Sequence, residues 1–166
     1  MLALMDQDSK TPALKELQGH IWEDGYNTGE LVGAVFDDVQ PALERWRQQG
    51  VGVGIFSSGS VLAQKLLFGH SSAGDLTPLL RWHFDTALGA KTDPASYRRI
   101  ASSIGESPDA VLFVSDIVAE LDAARTAGMQ TALSVRPGNA AVPADHGHRS
   151  IETFEELYPW TCRDSS

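Results

Sequence analysis

Val51-Gly-Val-Gly-Ile-Phe-Ser-Ser-Gly-Ser60 runs from a short apolar stretch straight into a turn of small polar residues. Such a run is too short for a buried helix and has the make-up of a strand covered on both faces. A helix is expected next, over Val61 to Phe68. The same grammar returns at Ala110-Val-Leu-Phe-Val114, which ends in Ser115-Asp116 and leads into a helix over Ile117 to Ala127, closed by Gly128. Between them a short strand is expected at Phe84 to Leu88, and Asp93-Pro94 opens a helix to Ile104. Gln130 to Val135 reads as a further strand, turned by Pro137-Gly138. Strand and helix therefore alternate from residue 51 to residue 135. That alternation specifies an α/β fold: a Rossmann-like parallel sheet with right-handed crossovers and helices on both faces.

Outside this stretch the pattern is helical. Leu14, Leu17, Ile21 and Trp22 recur at helical spacing within Thr11 to Thr28, and Pro12 suits a first turn. Gly25 to Gly33 is looser. Val39, Leu43 and Trp46 form one face of a helix over Asp38 to Gln49, which Gly50 stops. Asp37-Asp38 reads as its N-cap, and Ile151 to Leu157 as a short closing helix or turn. No internal repeat and no low-complexity tract interrupts the chain.

The chain has 166 residues, 42% of them hydrophobic, enough for one domain with a core. Its formal charge of -9 disfavours nucleic acid and anionic membrane as partners. No apolar run is long enough to span a bilayer, and Met1 to Lys10 does not resemble a signal peptide. With one cysteine, Cys162, no disulfide can form within the chain. These features lead us to expect a cytoplasmic protein.

In open parallel sheets ligands bind beyond the carboxyl ends of the strands, and three useful groups fall there. Ser57-Ser58-Gly59-Ser60 can present backbone N–H groups and hydroxyls at a helix N-terminus, a cradle for phosphate, or it can be an ordinary serine cap. Lys91, in Gly89-Ala-Lys-Thr-Asp-Pro94, can neutralise phosphate charge or lie solvated in its loop. Asp116 can offer carboxylate oxygens to Mg²⁺ or cap the following helix, with Glu120 one turn further on. Other candidates are weaker. His146 and His148 read as a solvated turn, His70 and His83 as local hydrogen-bonding residues, Trp22, Trp46 and Trp82 as core or interface, and Cys162 as no nucleophile. Neither a G-x-G-x-x-G nor a P-loop motif is present.

The order Ser57-Ser58, then Lys91, then Asp116 with Glu120 resembles the second, third and fourth motifs of the haloacid dehalogenase superfamily. Longer strings narrow the resemblance: Leu14 to Trp22, Ile55 to Ser71, His83-Phe-Asp-Thr86 and Val135-Arg-Pro-Gly-Asn139 are similar to segments of the enolase-phosphatases of methionine salvage. The resemblance implies a haloacid dehalogenase-like core over residues 36–160, after a remnant of helical cap and linker over 1–35 and before a tail over 161–166. It implies enolisation and dephosphorylation of a small phosphate ester, 2,3-diketo-5-methylthiopentyl-1-phosphate, to the acireductone. Mg²⁺ is the implied cofactor. Ser57, Ser58 and Lys91 would bind the phosphate, Lys91 would stabilise charge on it, Asp116 would ligate the metal, and Glu120 would act behind them.

One departure stands out. The family's first motif, a strand ending in Asp-x-Glu-Gly-Thr whose first aspartate attacks phosphorus, is not found. Asp6-Gln-Asp8 has the carboxylate spacing but neither the apolar strand before it nor the Gly-Thr after it. The expectation is therefore a chain that begins within the cap, lacks the first core strand and the nucleophile, and is inactive alone. A missing N-terminal segment or a complementing chain would supply the rest. The resemblance puts that strand between those ending at Ser57 and Asp116, which must either pair directly or leave a seam. Two other functions are weighed: a non-catalytic phosphate-binding or partner-docking domain, and a different phosphatase of the same superfamily.

Overall fold

The computed structural model of the chain describes residues 25–26, 28, 31–143 and 145–157. The expected helix over Thr11 to Thr28 falls almost wholly outside these residues, and Asp6, Asp8 and Cys162 lie outside them too. Helix α1 spans Val39–Gln48, strand β1 Gly54–Ser57 and helix α2 Val61–Gly69. A 3-10 turn at Thr77–Leu79 leads to β2, Trp82–Asp85, and then α3, Pro94–Ile104. Another at Pro108–Ala110 leads to β3, Leu112–Ser115, and α4, Val118–Thr126. Strands β4, Gln130–Ser134, and β5, Arg149–Ile151, and a 3-10 turn over Phe154–Leu157 complete the described part.

All pairings between the described strands are parallel, and they form two sheets. Strand β1 pairs with β2, Ile55 opposite His83 and Ser57 opposite Asp85. Strand β4 lies between β3 and β5, Val114 opposite Ala132 and Leu133 opposite Ser150. Among the described residues no ladder joins β1 to β3, so the two do not close on each other. The seam is the outcome.

Residues alternating along each strand serve opposite faces, as the pleat requires. On one face Phe56 of β1 and Phe113 of β3 pack with Ile100, Ala101, Ala123, Ala124 and Met129 of the α3–α4 layer. Tyr97 joins them, its ring 5.7 Å from that of Phe56 and 4.8 Å from that of Phe113, both edge-on. On the other face Val53 and Ile55 pack against Leu43, Leu76 and Leu80, while Leu112 and Val114 pack against Ile151 and Leu157. Trp46 of α1 touches both of those clusters. Tyr97 and Trp46 thus tie the halves together from opposite sides.

Several local expectations shift. Strand β2 begins at Trp82 rather than Phe84 and ends at Asp85, because Asp85 Oδ1 accepts the Ala87 N–H at 2.9 Å and turns the chain. Strand β5 replaces an expected loop. It pairs with β4 although Arg149 and Ser150 are exposed, so only Ile151 carries a core signature. Asp38 does occupy the N-cap position of α1, yet its carboxylate makes no capping bond. His148 is not in a solvated turn: its side chain is fully buried. Gly50, Gly105 and Gly128 close their helices at positive φ, a conformation that favours glycine.

Candidate active site

Ser57 ends β1, and the turn to α2 is tightly organised. Ser60 Oγ accepts the Ala63 N–H at 3.2 Å, which makes Ser60 the N-cap of α2. Ser57 Oγ accepts the Gly59 N–H at 3.1 Å. The capping duty therefore falls on Ser60 and leaves Ser57 and Ser58 outside it. The open end of α2 and the peptide dipoles behind it give this turn a positive potential.

Lys91 lies in the loop after β2, which is anchored at three points. Tyr97 donates its hydroxyl to the Lys91 carbonyl at 2.5 Å, and Arg99 Nη1 donates to the Leu88 carbonyl at 2.8 Å. Gly89 has a φ of +148°, and a Cβ there would stand 2.3 Å from Ser96 Oγ, so no larger residue fits. The Lys91 ammonium meets Glu120 Oε1 at 2.8 Å, and Glu120 Oε2 accepts from Ser115 Oγ at 2.8 Å. Residues of both half-sheets thus meet at one charged pair. Burial, with the Glu120 charge adding to it, drives the Tyr97 phenol well above its ordinary pKa. The hydroxyl stays protonated and keeps its bond to Lys91.

Asp116 follows β3. It does not cap α4, whose N-cap is Ile117; Ser115 Oγ instead accepts the Ile117 N–H at 3.1 Å. Asp116 Oδ2 accepts from Asn139 Nδ2 at 2.6 Å, and Asn139 Oδ1 accepts the Arg136 N–H at 2.9 Å. Arg136 is held firmly in turn. Its guanidinium bonds Asp38 Oδ2 at 2.6 Å and lies over the rings of Phe36 and Phe154, at 4.8 and 5.1 Å. Asp38 Oδ2 also accepts the Phe154 N–H at 2.7 Å. Burial alone would raise the Asp38 pKa, but the bonds from Arg136 and Phe154 outweigh it and hold the carboxyl below its ordinary value. An open cleft of about 340 Å³ lies over this network, lined by Phe36, Val39, Val114, Asp116, Arg136 and Asn139 among others.

The structure therefore brings Lys91 and Glu120 into contact, sets Ser57 and Ser58 at the end of β1, and sets Asp116 at the end of β3 beside Asn139. No hydrogen bond among the described residues joins Ser57 or Ser58 to Lys91 or Asp116. Asn139, Arg136 and Asp38 were not singled out from sequence as site residues. Val135-Arg-Pro-Gly-Asn139 carries resemblance but no chemical pattern, and Asp38 reads as a cap. Asp116 suits a hard cation by its donor chemistry. Among the described residues no cluster of three acidic, histidine or cysteine side chains could hold a metal, so Asp116 would hold one together with ligands of another kind.

A positive turn at β1 and a lysine clamped beyond β2 have the chemistry to grip a phosphate ester, and the carboxylate beyond β3 has the chemistry to hold a cation. Comparison with known proteins shows the family. The family model of the haloacid dehalogenase-like hydrolases matches residues 4–128. The chain is 56% identical over 154 residues to enolase-phosphatase E1 of Synechococcus elongatus, covering 93% of this chain and 64% of that protein. It is 50% identical over 159 residues to enolase-phosphatase E1 of Klebsiella oxytoca, covering 96% and 68%. The crystal structure of the UTR4 protein of Saccharomyces cerevisiae superposes with a TM-score of 0.82 at 40% identity, covering 89% of this chain and 68% of that one. The chain spans about two thirds of the length of the relatives it matches. No helix among the described residues is long and apolar enough to cross a membrane.

Proposed function

The chain belongs to the haloacid dehalogenase-like hydrolases, with the enolase-phosphatases as its near relatives, and from that membership we propose that it is the phosphate-gripping part of a methionine-salvage phosphatase. The substrate we propose is 2,3-diketo-5-methylthiopentyl-1-phosphate. The carrying observation is that the Lys91–Glu120 pair links residues of the two half-sheets where the turn at Ser57 and the carboxylate of Asp116 also end their strands.

In this reading the backbone N–H groups of the turn and the Ser57 and Ser58 hydroxyls bind the equatorial phosphate oxygens. Lys91 exchanges part of its pairing with Glu120 for the phosphate and offsets the charge that builds on it. Glu120 and Ser115 keep the lysine aimed while the site is empty. The Asn139 amide holds Asp116 by one oxygen. Mg²⁺ is the proposed cofactor, with Asp116 as one of its ligands.

The motif that carries the attacking aspartate is not found in this sequence, and we propose that these 166 residues bind the ester and do not cleave it. The partner that completes them is an apolar strand ending in Asp-x-Glu-Gly-Thr, lying in the seam between β1 and β3. The packing of Phe56 and Phe113 on either side of Tyr97 suits this. A strand there would stand ~4.8 Å from each neighbour. The decisive assay gives the purified chain the diketone phosphate and Mg²⁺, with and without a polypeptide carrying that strand. No turnover alone and turnover on addition is expected. Robust turnover by the chain alone sinks the proposal. Turnover of sugar phosphates in place of the diketone by the completed protein would favour a different phosphatase of the superfamily. The seam also favours a second reading, a phosphate-binding module that docks on a partner strand without catalysis. Partner binding with no turnover of any ester would support that reading.

A further inference from the structure

Gln64 is a polar side chain on the second turn of α2, buried to 5% exposure. Burying an amide costs free energy unless its groups are bonded. Its Nε2 donates to the Gly59 carbonyl at 3.0 Å and to the Phe84 carbonyl at 2.8 Å. Its Oε1 lies 3.3 Å from His83 Nδ1. An amide oxygen can only accept, so His83 carries its proton on Nδ1. Burial, with the charge of Lys65 adding to it, lowers the His83 pKa and keeps the ring neutral in that tautomer. One side chain thus ties the turn after β1 to two consecutive residues of β2.

The tie lies where it sets the geometry of the turn. Gly59 gives its N–H to Ser57 Oγ and its carbonyl to Gln64. Gln64 N in turn donates to the Ser60 carbonyl at 3.0 Å. Both sides of the Gly59 peptide are therefore held, one by Ser57 and one by Gln64. Strand β2 also carries the chain to Lys91, so the same clamp relates the turn to the lysine loop.

We propose that Gln64 is the positioning residue of the phosphate site, locking the Ser57–Ser60 turn against β2 so that its donors converge with Lys91. This rests on the phosphate-site reading given above. His83 contributes through Gln64 and does not touch the ligand.

The test uses the 166-residue chain and inorganic phosphate, with binding followed by NMR titration of the backbone amides of residues 57–60. Wild type should bind in a manner that Lys91→Met weakens. Gln64→Met keeps length and volume and removes all three side-chain bonds. It should bind at least tenfold more weakly, with shifted amides at 57–60 before any phosphate is added. His83→Phe leaves the two donor bonds and should weaken binding about threefold, with a modest fall in melting temperature because the buried Oε1 loses its partner. If Gln64→Met does not fold, His83→Phe decides alone. Unchanged affinity in the folded variant, with amides 57–60 in place, would falsify the positioning role and leave the site intact. Wild-type binding that is absent, or indifferent to Lys91→Met, would overturn the phosphate site and this role with it.

Discussion

Strands β1 and β4 carry similar expectations and meet different fates. Strand β1 contains Ile55 and Phe56, larger and more apolar than Ala132 of β4, yet both remain half-buried while Ala132 and Leu133 are 1% exposed. The difference is pairing. Strand β4 is flanked on both edges, by β3 and β5. Strand β1 has β2 on one edge and the seam on the other, and β3 likewise faces the seam. Hydrophobicity makes a strand fit for the interior, but neighbours on both sides remove it from water. The site residues follow the same division. Ser57, Ser58 and Lys91 belong to the two-stranded half, Asp116 and Asn139 to the three-stranded half, and Lys91–Glu120 spans them.

The sharpest way to break this comparison is to remove a residue shared by both halves. Tyr97 is fully buried between Phe56 and Phe113. Tyr97→Ala should cost ~3–5 kcal/mol, as aromatic-to-alanine changes in cores do, and both halves should lose protection together in hydrogen exchange. Loss confined to one half would show that Tyr97 does not bridge them. Tyr97→Phe keeps the packing and loses only the bond to Lys91, so it should cost about 1 kcal/mol.

Arg136→Met probes one half. Leaving Asp38 without its partner should cost about 3 kcal/mol, the lower range for breaking a buried pair, with the lost protection concentrated in β4, β5 and the Phe154–Leu157 turn. The same pair sets a pH dependence. The folded carboxyl of Asp38 lies below its ordinary value of 3.8, so around that pH the unfolded chain binds more protons. The pair's contribution is complete above that value and disappears as pH falls through the lowered one. Acid titration of the melting temperature should therefore fall off less steeply in Asp38→Asn than in wild type, and an identical slope would remove the pair as its source.

The smallest effect is at Ser96. Its buried hydroxyl has no hydrogen-bond partner among the described residues, against Gly89 in the lysine loop. Ser96→Ala should change stability by less than about 1 kcal/mol, on the stabilising side, since the unmet hydroxyl is removed with its desolvation cost. A clear loss in thermal unfolding would mean that the hydroxyl finds a partner, such as a bound water.

Most of the elements were legible because apolar period and turn chemistry act locally. Val51 to Ser60 and Ala110 to Asp116 announce strand, turn and helix within ten residues, and the closing glycines lie where their helices end. The rule that ligands gather at strand ends then pointed to Ser57, Ser58, Lys91 and Asp116. Strand β5 was missed because Arg149 and Ser150 show solvent what a loop would show. Gln64, Asn139 and Arg136 were missed as site residues because amides and arginines are common on surfaces, and only their partners set them apart. Those partners can lie far along the chain, as Asp38 lies 98 residues from Arg136.

The sequence by itself determined the alternation of strand and helix, the parallel sense of pairing and the order of site residues along the chain, because the alternation follows from contacts within a few residues and the crossovers it requires make the strands parallel. The tertiary structure decided that the strands form two sheets with a seam. It also decided that Ser60 rather than Ser57 caps α2, that Glu120 meets Lys91, and that Asp38 binds Arg136 instead of its own helix. Those outcomes depend on which of several available partners arrives at bonding distance, and that is settled only when distant segments pack.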